Sequence, residues 1–185
     1  MGNSKKVIVR NLGSVDFEES FKIQKQIQNE IIDIKLNNRK NNLNLSTPNY
    51  LLFMEHNHVY TLGNSGDDKN LLFNEKELDK KGIKFIKTNR GGDITYHGPG
   101  QLVCYPIFDL ENFYTDIHRY LRDLEEIIVG TLDHFGIVAF GNPNETGVWL
   151  EIGSKNERKI CAMGIKVSRW VTMHGLALNV NTDLS

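Results

Sequence analysis

Arg90-Gly91-Gly92-Asp93-Ile94-Thr95-Tyr96-His97-Gly98-Pro99-Gly100-Gln101 is the stretch from which the rest of the chain is read. Two adjacent glycines let backbone N–H groups approach a ligand with no Cβ in the way. Gly98-Pro99-Gly100 then bends the chain back sharply. Arg90 and His97 bracket the first half and offer a fixed cation and a titratable ring. A surface hairpin accounts for an isolated Gly-Gly pair, but it has no need of Arg, Tyr, His and Pro gathered around it. A Walker loop requires Gly-Lys-Ser/Thr at a helix start, and a Rossmann loop requires G-x-G-x-x-G opening a helix. This run follows one strand-like segment, Ile83–Thr88, and opens onto another.

Downstream, Leu102–Leu110 is apolar and strand-like, with Pro106 pointing to an edge strand or a bulge. Thr115 is placed to cap a helix whose apolar face is Ile117, Tyr120, Leu121, Leu124, Ile127, Ile128 and Leu132, and Gly136 to end it. Four strands are expected after it, over Ile137–Phe140, Val148–Glu151, Lys159–Val167 and Val171–Val180. In the last, alternation puts Thr172, His174, Leu176 and Leu178 on one face and Met173, Gly175 and Ala177 on the other. Upstream, Val7–Arg10 reads as a first strand. Asp16 and Glu19 have capping-box spacing before Phe17, Phe21, Ile27, Ile31 and Ile34, which predicts a helix from about Asp16 to Leu36. Asn37–Pro48 reads as a polar loop, Tyr50–Glu55 as a strand and Glu75–Lys81 as a short helix. Strands interleaved with two long helices predict an α+β fold: a mixed, largely antiparallel sheet covered by helices.

The chain has 185 residues, the size of one domain, so residues 1–185 are read as a single unit. A net charge of −1 supplies no global basic field for nucleic acid. Cys104 and Cys161, the two cysteines, sit in apolar runs with neither CxxC nor His spacing, so no metal site and a reducing compartment are expected. The apolar run Val7–Val9 is too short for a signal peptide or a membrane span, and a cytoplasmic protein with no membrane partner is expected.

The run Arg90–Gln101, continued by Leu102-Val103-Cys104-Tyr105-Pro106, resembles the signature of the lipoyl(octanoyl) transferases of lipoate biosynthesis. Further blocks agree in order and spacing: Glu55-His56 with Val59-Tyr60-Thr61-Leu62-Gly63, then Gly147-Val148-Trp149, Lys159–Ser168 and Thr172–Asn179. The resemblance implies the fold shared by biotin and lipoate ligases. It implies an octanoyl group taken from octanoyl-acyl carrier protein and passed to a lysine of a lipoyl domain. The acceptors would be lipoyl domains of 2-oxoacid dehydrogenase complexes and the glycine cleavage H protein. No cofactor is implied, since thioester to amide is downhill without ATP.

By the same resemblance Lys159 stands on the catalytic lysine, which activates a cysteine nucleophile. Arg90, Gly91, Gly92, Asp93, Ile94, Thr95, Tyr96 and His97 line the substrate site with Ala162, Met163, Gly164, Gly175, Leu176 and Ala177. Gly175 and Ala177 are expected to leave room for an alkyl chain. A lysine in an apolar pocket can stabilise a nearby thiolate. Strand periodicity places Cys161 on the same face as Lys159, but its apolar neighbours make it, like Cys104, a core residue. The family's nucleophile belongs to a Pro-Cys-Gly-type block following a segment like Asn179-Val180-Asn181-Thr182-Asp183-Leu184. This sequence ends at Ser185, so a C-terminally truncated catalytic domain is expected, with the cysteine missing from it. Two rivals stand beside this reading. One is an ATP-dependent lipoate or biotin ligase of the same fold. The other is a catalytically dead module that binds the acyl carrier or the lipoyl domain.

Overall fold

The computed structural model describes residues 5–184. Ser185 lies outside them. Chain order runs β1 (Val7–Ser14), α1 (Phe17–Asn41), β2 (Asn49–Glu55), β3 (Val59–Leu62), α2 (Glu75–Lys81), β4 (Lys84–Lys87), β5 (Ile94–His97), β6 (Gln101–Ile107), α3 (Ile117–His134), β7 (Phe140–Asn142), β8 (Glu145–Leu150), β9 (Arg158–Ser168) and β10 (Val171–Asn179). Seven strands form one sheet in the order β1-β2-β6-β10-β9-β8-β7. Within this sheet only β1 and β2 pair in parallel among the described residues, with α1 as the crossover that a parallel pair needs. A second sheet has the order β4-β3-β5, and in it β3 also pairs with β4 in parallel. The expected α+β architecture, largely antiparallel, is what the chain adopts.

Helix α1 starts at Asp16, whose side chain accepts from the Glu18 N–H. Glu18 and Glu19 at its start and Arg39 and Lys40 at its end complement the helix dipole. It runs five residues past Leu36. Residues 37–41 are weakly helical but hold no Pro or Gly, and the helix stops only where Asn42 turns left-handed, at φ 52°. Ile27 and Ile31 pack on Leu52, Met54, Val103, Tyr105 and Ile107 of the sheet. The other face carries α3, where Ile128 and Leu132 meet Cys104, Val148, Cys161, Leu176 and Leu178. The cap of α3 is Asp116, not Thr115: its carboxylate accepts from the Arg119 N–H. Ile117 and Ile127 of the expected apolar face are exposed, while Glu125 is buried. Gly136 ends this helix at φ 73°, as expected.

Two features of the sheet depart from simple alternation. Strand β6 lies in the interior of the sheet, so Pro106 is not on an edge. The β6–β10 ladder stops at Leu176↔Cys104, two residues short of Pro106, and there His174 takes φ 62°. This irregularity accommodates the missing proline N–H. It also turns His174 away from Leu176 and Leu178: its ring meets Phe21 of α1 and Tyr105, on the opposite face. The freed His174 N–H is received by Gln24 of α1, 2.9 Å away.

Candidate active site

The signature folds as a strap between three strands. The Gly63 N–H donates to the Asp93 carbonyl and the Asn64 N–H to the Arg90 carbonyl, which fastens it to the end of β3. The Gly91 N–H donates to the Ile165 carbonyl at 2.9 Å, which fastens it to β9 beyond the last residue that β8 pairs. A side chain at Gly164 would come within 2.7 Å of the Gly91 carbonyl, so only glycine lets the strap approach β9.

Arg90 is 7% exposed. Its guanidinium donates to the Thr61 carbonyl at 2.7 Å, to Thr61 Oγ1 at 2.8 Å and to the Gly91 carbonyl at 3.0 Å. Among the described residues it forms no ion pair, and burial lowers its pKa. Its first task is thus to hold the strap, while its uncompensated charge stays close beneath the cleft. His97 is buried and held down to about 3, chiefly by burial, so it is neutral. It stacks on Phe17 and meets His56 edge-on. Behind it the His56 Nδ1–H donates to the Val15 carbonyl, and the Tyr105 hydroxyl donates to His56 Nε2. Tyr96 sits nearer the mouth, its hydroxyl 2.6 Å from His58 Nδ1. Asp93 accepts from the Asn70 amide at the rim.

These groups border a cleft of about 640 Å³, within the range of roughly 300–1,000 Å³ usual for small-ligand sites. Arg90 through Tyr96 form one wall, and Lys159, Ala162, Met163, Gly164 and Ala177 the other. Ile117 and Leu121 of α3 add apolar surface, and Leu184 closes one side. Inward it narrows to a recess bordered by Phe17, His97, Tyr105, His174, Gly175 and Leu176. The residues expected at the site therefore line this cleft and the small recess adjoining it. Gly175 contributes backbone rather than room. A Cβ there would lie 2.3 Å from the Cys104 carbonyl and 2.5 Å from Pro106 Cδ, so the space beside it is already filled.

Lys159 and Cys161 do not share a face. Val148 pairs with Cys161, but Trp149 pairs with Lys159, so Ile160 is an extra residue in β9. Such a bulge re-aims the neighbouring side chain. Ile160 and Cys161 pack toward α3, whereas Lys159 turns to the cleft. Its ammonium lies over the Trp149 ring, 4.5 Å from the centroid, and forms no ion pair among the described residues. Burial pushes both thiols, Cys104 and Cys161, up to about 12, which keeps them protonated and inert. Phe17, His56, Tyr105 and Trp149 were not among the expected site residues. His56, Tyr105 and Trp149 lay inside the quoted blocks, whereas nothing in the helical pattern marked Phe17.

A Gly-rich strap over this cleft, with Lys159 at the rim free of an ion pair among the described residues, is an arrangement able to hold a small ligand beside a positive charge. The family model described as "Lipoyl protein ligase A/B catalytic domain" matches residues 19–185. A protein named octanoyltransferase from Flavobacterium johnsoniae is 58% identical over 181 residues, covering 98% of this chain and 78% of the relative. One of the same name from Christiangramia forsetii is 59% identical, covering 98% and 77%. Among solved structures, a bi-partite lipoate protein ligase from Thermoplasma acidophilum superposes with a TM-score of 0.65 at 20% identity. This chain covers 97% of its own length and 64% of that one, a likeness of fold. The chain belongs to the lipoyl protein ligase A/B catalytic-domain family. Its kinship with the octanoyltransferases makes it an acyltransferase of lipoate biosynthesis.

Proposed function

We propose that the cleft takes the octanoyl chain of octanoyl-acyl carrier protein and passes it to a lipoyl-domain lysine through an acyl-cysteine intermediate. The acceptors on this reading are lipoyl domains of 2-oxoacid dehydrogenase complexes and the glycine cleavage H protein, and the compartment is the cytoplasm. No helix among the described residues is long and apolar enough to cross a membrane. The observation that carries the reading is Lys159, a cation without a carboxylate partner among the described residues, at the rim of a cleft walled by Ala162, Met163, Gly164 and Ala177.

In this reading the alkyl chain lies along Ile94, Ala162, Met163 and Ala177, with its thioester near Lys159. A cysteine thiolate, stabilised by the ammonium, attacks the thioester carbon and expels the carrier thiolate. The acceptor amine then attacks the acyl-cysteine, loses a proton and releases the thiolate. Backbone N–H groups of the strap are suited to receive the oxyanion of each tetrahedral intermediate. Neither Cys104 nor Cys161 suits the role of nucleophile, since both are buried toward α3. The chain returns to the cleft at Leu184, so a cysteine a few residues further along would come within reach of Lys159.

Calorimetry with octanoate tests the site directly. Saturable binding that is lost in Ala177→Trp supports the reading. Equal affinity in wild type and Ala177→Trp contradicts it. Release of pyrophosphate on incubation with ATP and octanoate would favour a ligase.

A further inference from the structure

We propose that Trp149 and Gly147 of β8 are positioning residues for Lys159, holding its ammonium at the cleft on an indole face instead of a carboxylate. The inference rests on the reading of Lys159 as the thiolate-stabilising group, and it assigns the device that aims it.

Three independent features converge on the lysine. The bulge at Ile160 brings Lys159 opposite Trp149 rather than Leu150, which puts both side chains on one face of the sheet, with Lys159 reaching the cleft. Gly147 leaves the path of the lysine stem open. It sits at φ 125°, and a Cβ there would stand 3.3 Å from Lys159 Cδ and Cε and 2.6 Å from the Cys161 carbonyl. That glycine is itself pinned, because its N–H donates to buried Glu125 Oε1 at 2.8 Å. Glu125 is neutralised by Arg122 at 2.9 Å, so it holds backbone without competing for the ammonium.

The choice of tryptophan is the third feature. The indole Nε1–H is buried and has no hydrogen-bond partner among the described residues. A phenylalanine would fill the same wall without that penalty. What tryptophan adds is the aromatic face that best holds a cation. A carboxylate would hold the ammonium more firmly, but it would cancel its field and stabilise its charged form. An aromatic quadrupole fixes the position and leaves the full positive charge for an anion arriving in the cleft. Glu145, Arg90 and Asp93 are charged groups that line the cleft with Lys159.

The test uses the 185-residue chain labelled with 13Cε-lysine, with Lys159→Arg to identify the resonance. A Lys159 ε-methylene shifted upfield by the ring current, and returned to the ordinary range in Trp149→Leu, supports the proposal. An unshifted signal in wild type overturns it. Calorimetry then compares octanoate with octanol, which share the chain and differ in charge. Trp149→Leu is expected to weaken octanoate by about 3- to 10-fold and leave octanol unchanged, as a misplaced cation predicts. Equal loss for both ligands would mean a collapsed wall and would overturn the positioning role. Trp149→Phe should fall between wild type and Trp149→Leu in octanoate affinity while unfolding no more easily than wild type. If wild type binds neither ligand yet shows the shifted resonance, the acyl reading of the cleft fails and the placement of Lys159 stands.

Discussion

His97 Nδ1 lies 2.7 Å from Gln101 Oε1, and this contact fixes which nitrogen of the ring carries the proton. The Gln101 amide nitrogen donates to the Tyr96 carbonyl and to Asn179 Oδ1, so its oxygen must face the histidine. Nδ1 is therefore the donor, and Nε2 keeps its lone pair. Between β5 and β6 the signature thus builds a neutral imidazole of one tautomer, its Nε2 unprotonated.

Burial lowers the pKa of three imidazoles, and this sets a pH dependence. His97 and His174 are held down to about 3, and His56 is lowered by the same cause. In the unfolded chain each titrates near 6.5, so below that value the unfolded state binds more protons than the native one. The stability is complete above about 6.5 and is lost as pH falls from there toward 3. Urea unfolding should show stability dropping by about 1.4 kcal/mol per pH unit for each of His97 and His174 between pH 6 and 4. A flat profile over that range would contradict the burial of the cluster. His174→Gln should make the slope shallower.

Arg90→Lys keeps the charge and discards the fork. Lysine cannot reach Thr61 and the Gly91 carbonyl together, so a loss of about 2–4 kcal/mol is expected. Amide exchange at Gly91 and Asn64 should speed up more than exchange in α1, because those N–H groups fasten the strap. Chemical denaturation and residue-level hydrogen exchange check both parts.

Gly164→Ala separates the strap from β9. The new methyl would stand 2.7 Å from the Gly91 carbonyl, which has to move. The expected cost is about 1–3 kcal/mol, with octanoate affinity falling about tenfold or more as the wall shifts. Calorimetry beside thermal unfolding measures the pair.

Gln24→Leu strands the His174 N–H in the core. An unpaired buried donor costs about 1–3 kcal/mol, although leucine fills nearly the same volume. Gln28, which donates to the Val171 carbonyl at 2.9 Å, anchors the same strand. Thermal unfolding of the two leucine variants, singly and together, should show losses that do not add, because both hold β10 to α1.

The legible part of this fold was carried by long periodic segments. Helices α1 and α3, the caps at Asp16 and Gly136, and strands β8 to β10 appear near where they were read, but the strand expected over Ile137–Phe140 forms instead at Phe140–Asn142, after a stretch that follows the turn at Gly136. Strand β3 was missed: Val59–Leu62 is four residues long and alternates too briefly to declare itself. Faces failed wherever one residue broke the period. The bulge at Ile160 reverses Lys159 relative to Cys161, and the left-handed turn at His174 does the same in β10. Neither residue is a glycine, so no local signal announced either turn. The buried glutamines of α1 were invisible for a related reason: their partners are backbone groups on β10, freed by that same irregularity. The strap was legible because its chemistry is local. The Trp149–Lys159 contact was not, because it depends on a register between two strands.

The central claim is that this fold acylates a cysteine held beside Lys159 and leaves Cys104 and Cys161 untouched. Intact-mass spectrometry after incubation with octanoyl-acyl carrier protein tests it most directly. Two proteins are compared: the 185-residue chain, and the same chain continued by the C-terminal residues of the Flavobacterium johnsoniae octanoyltransferase. The account predicts one octanoyl adduct on the continued chain, on a cysteine of the added segment and lost in Lys159→Met, with none on the 185-residue form. An adduct on the 185-residue form that maps to Cys161 or Cys104 would contradict it.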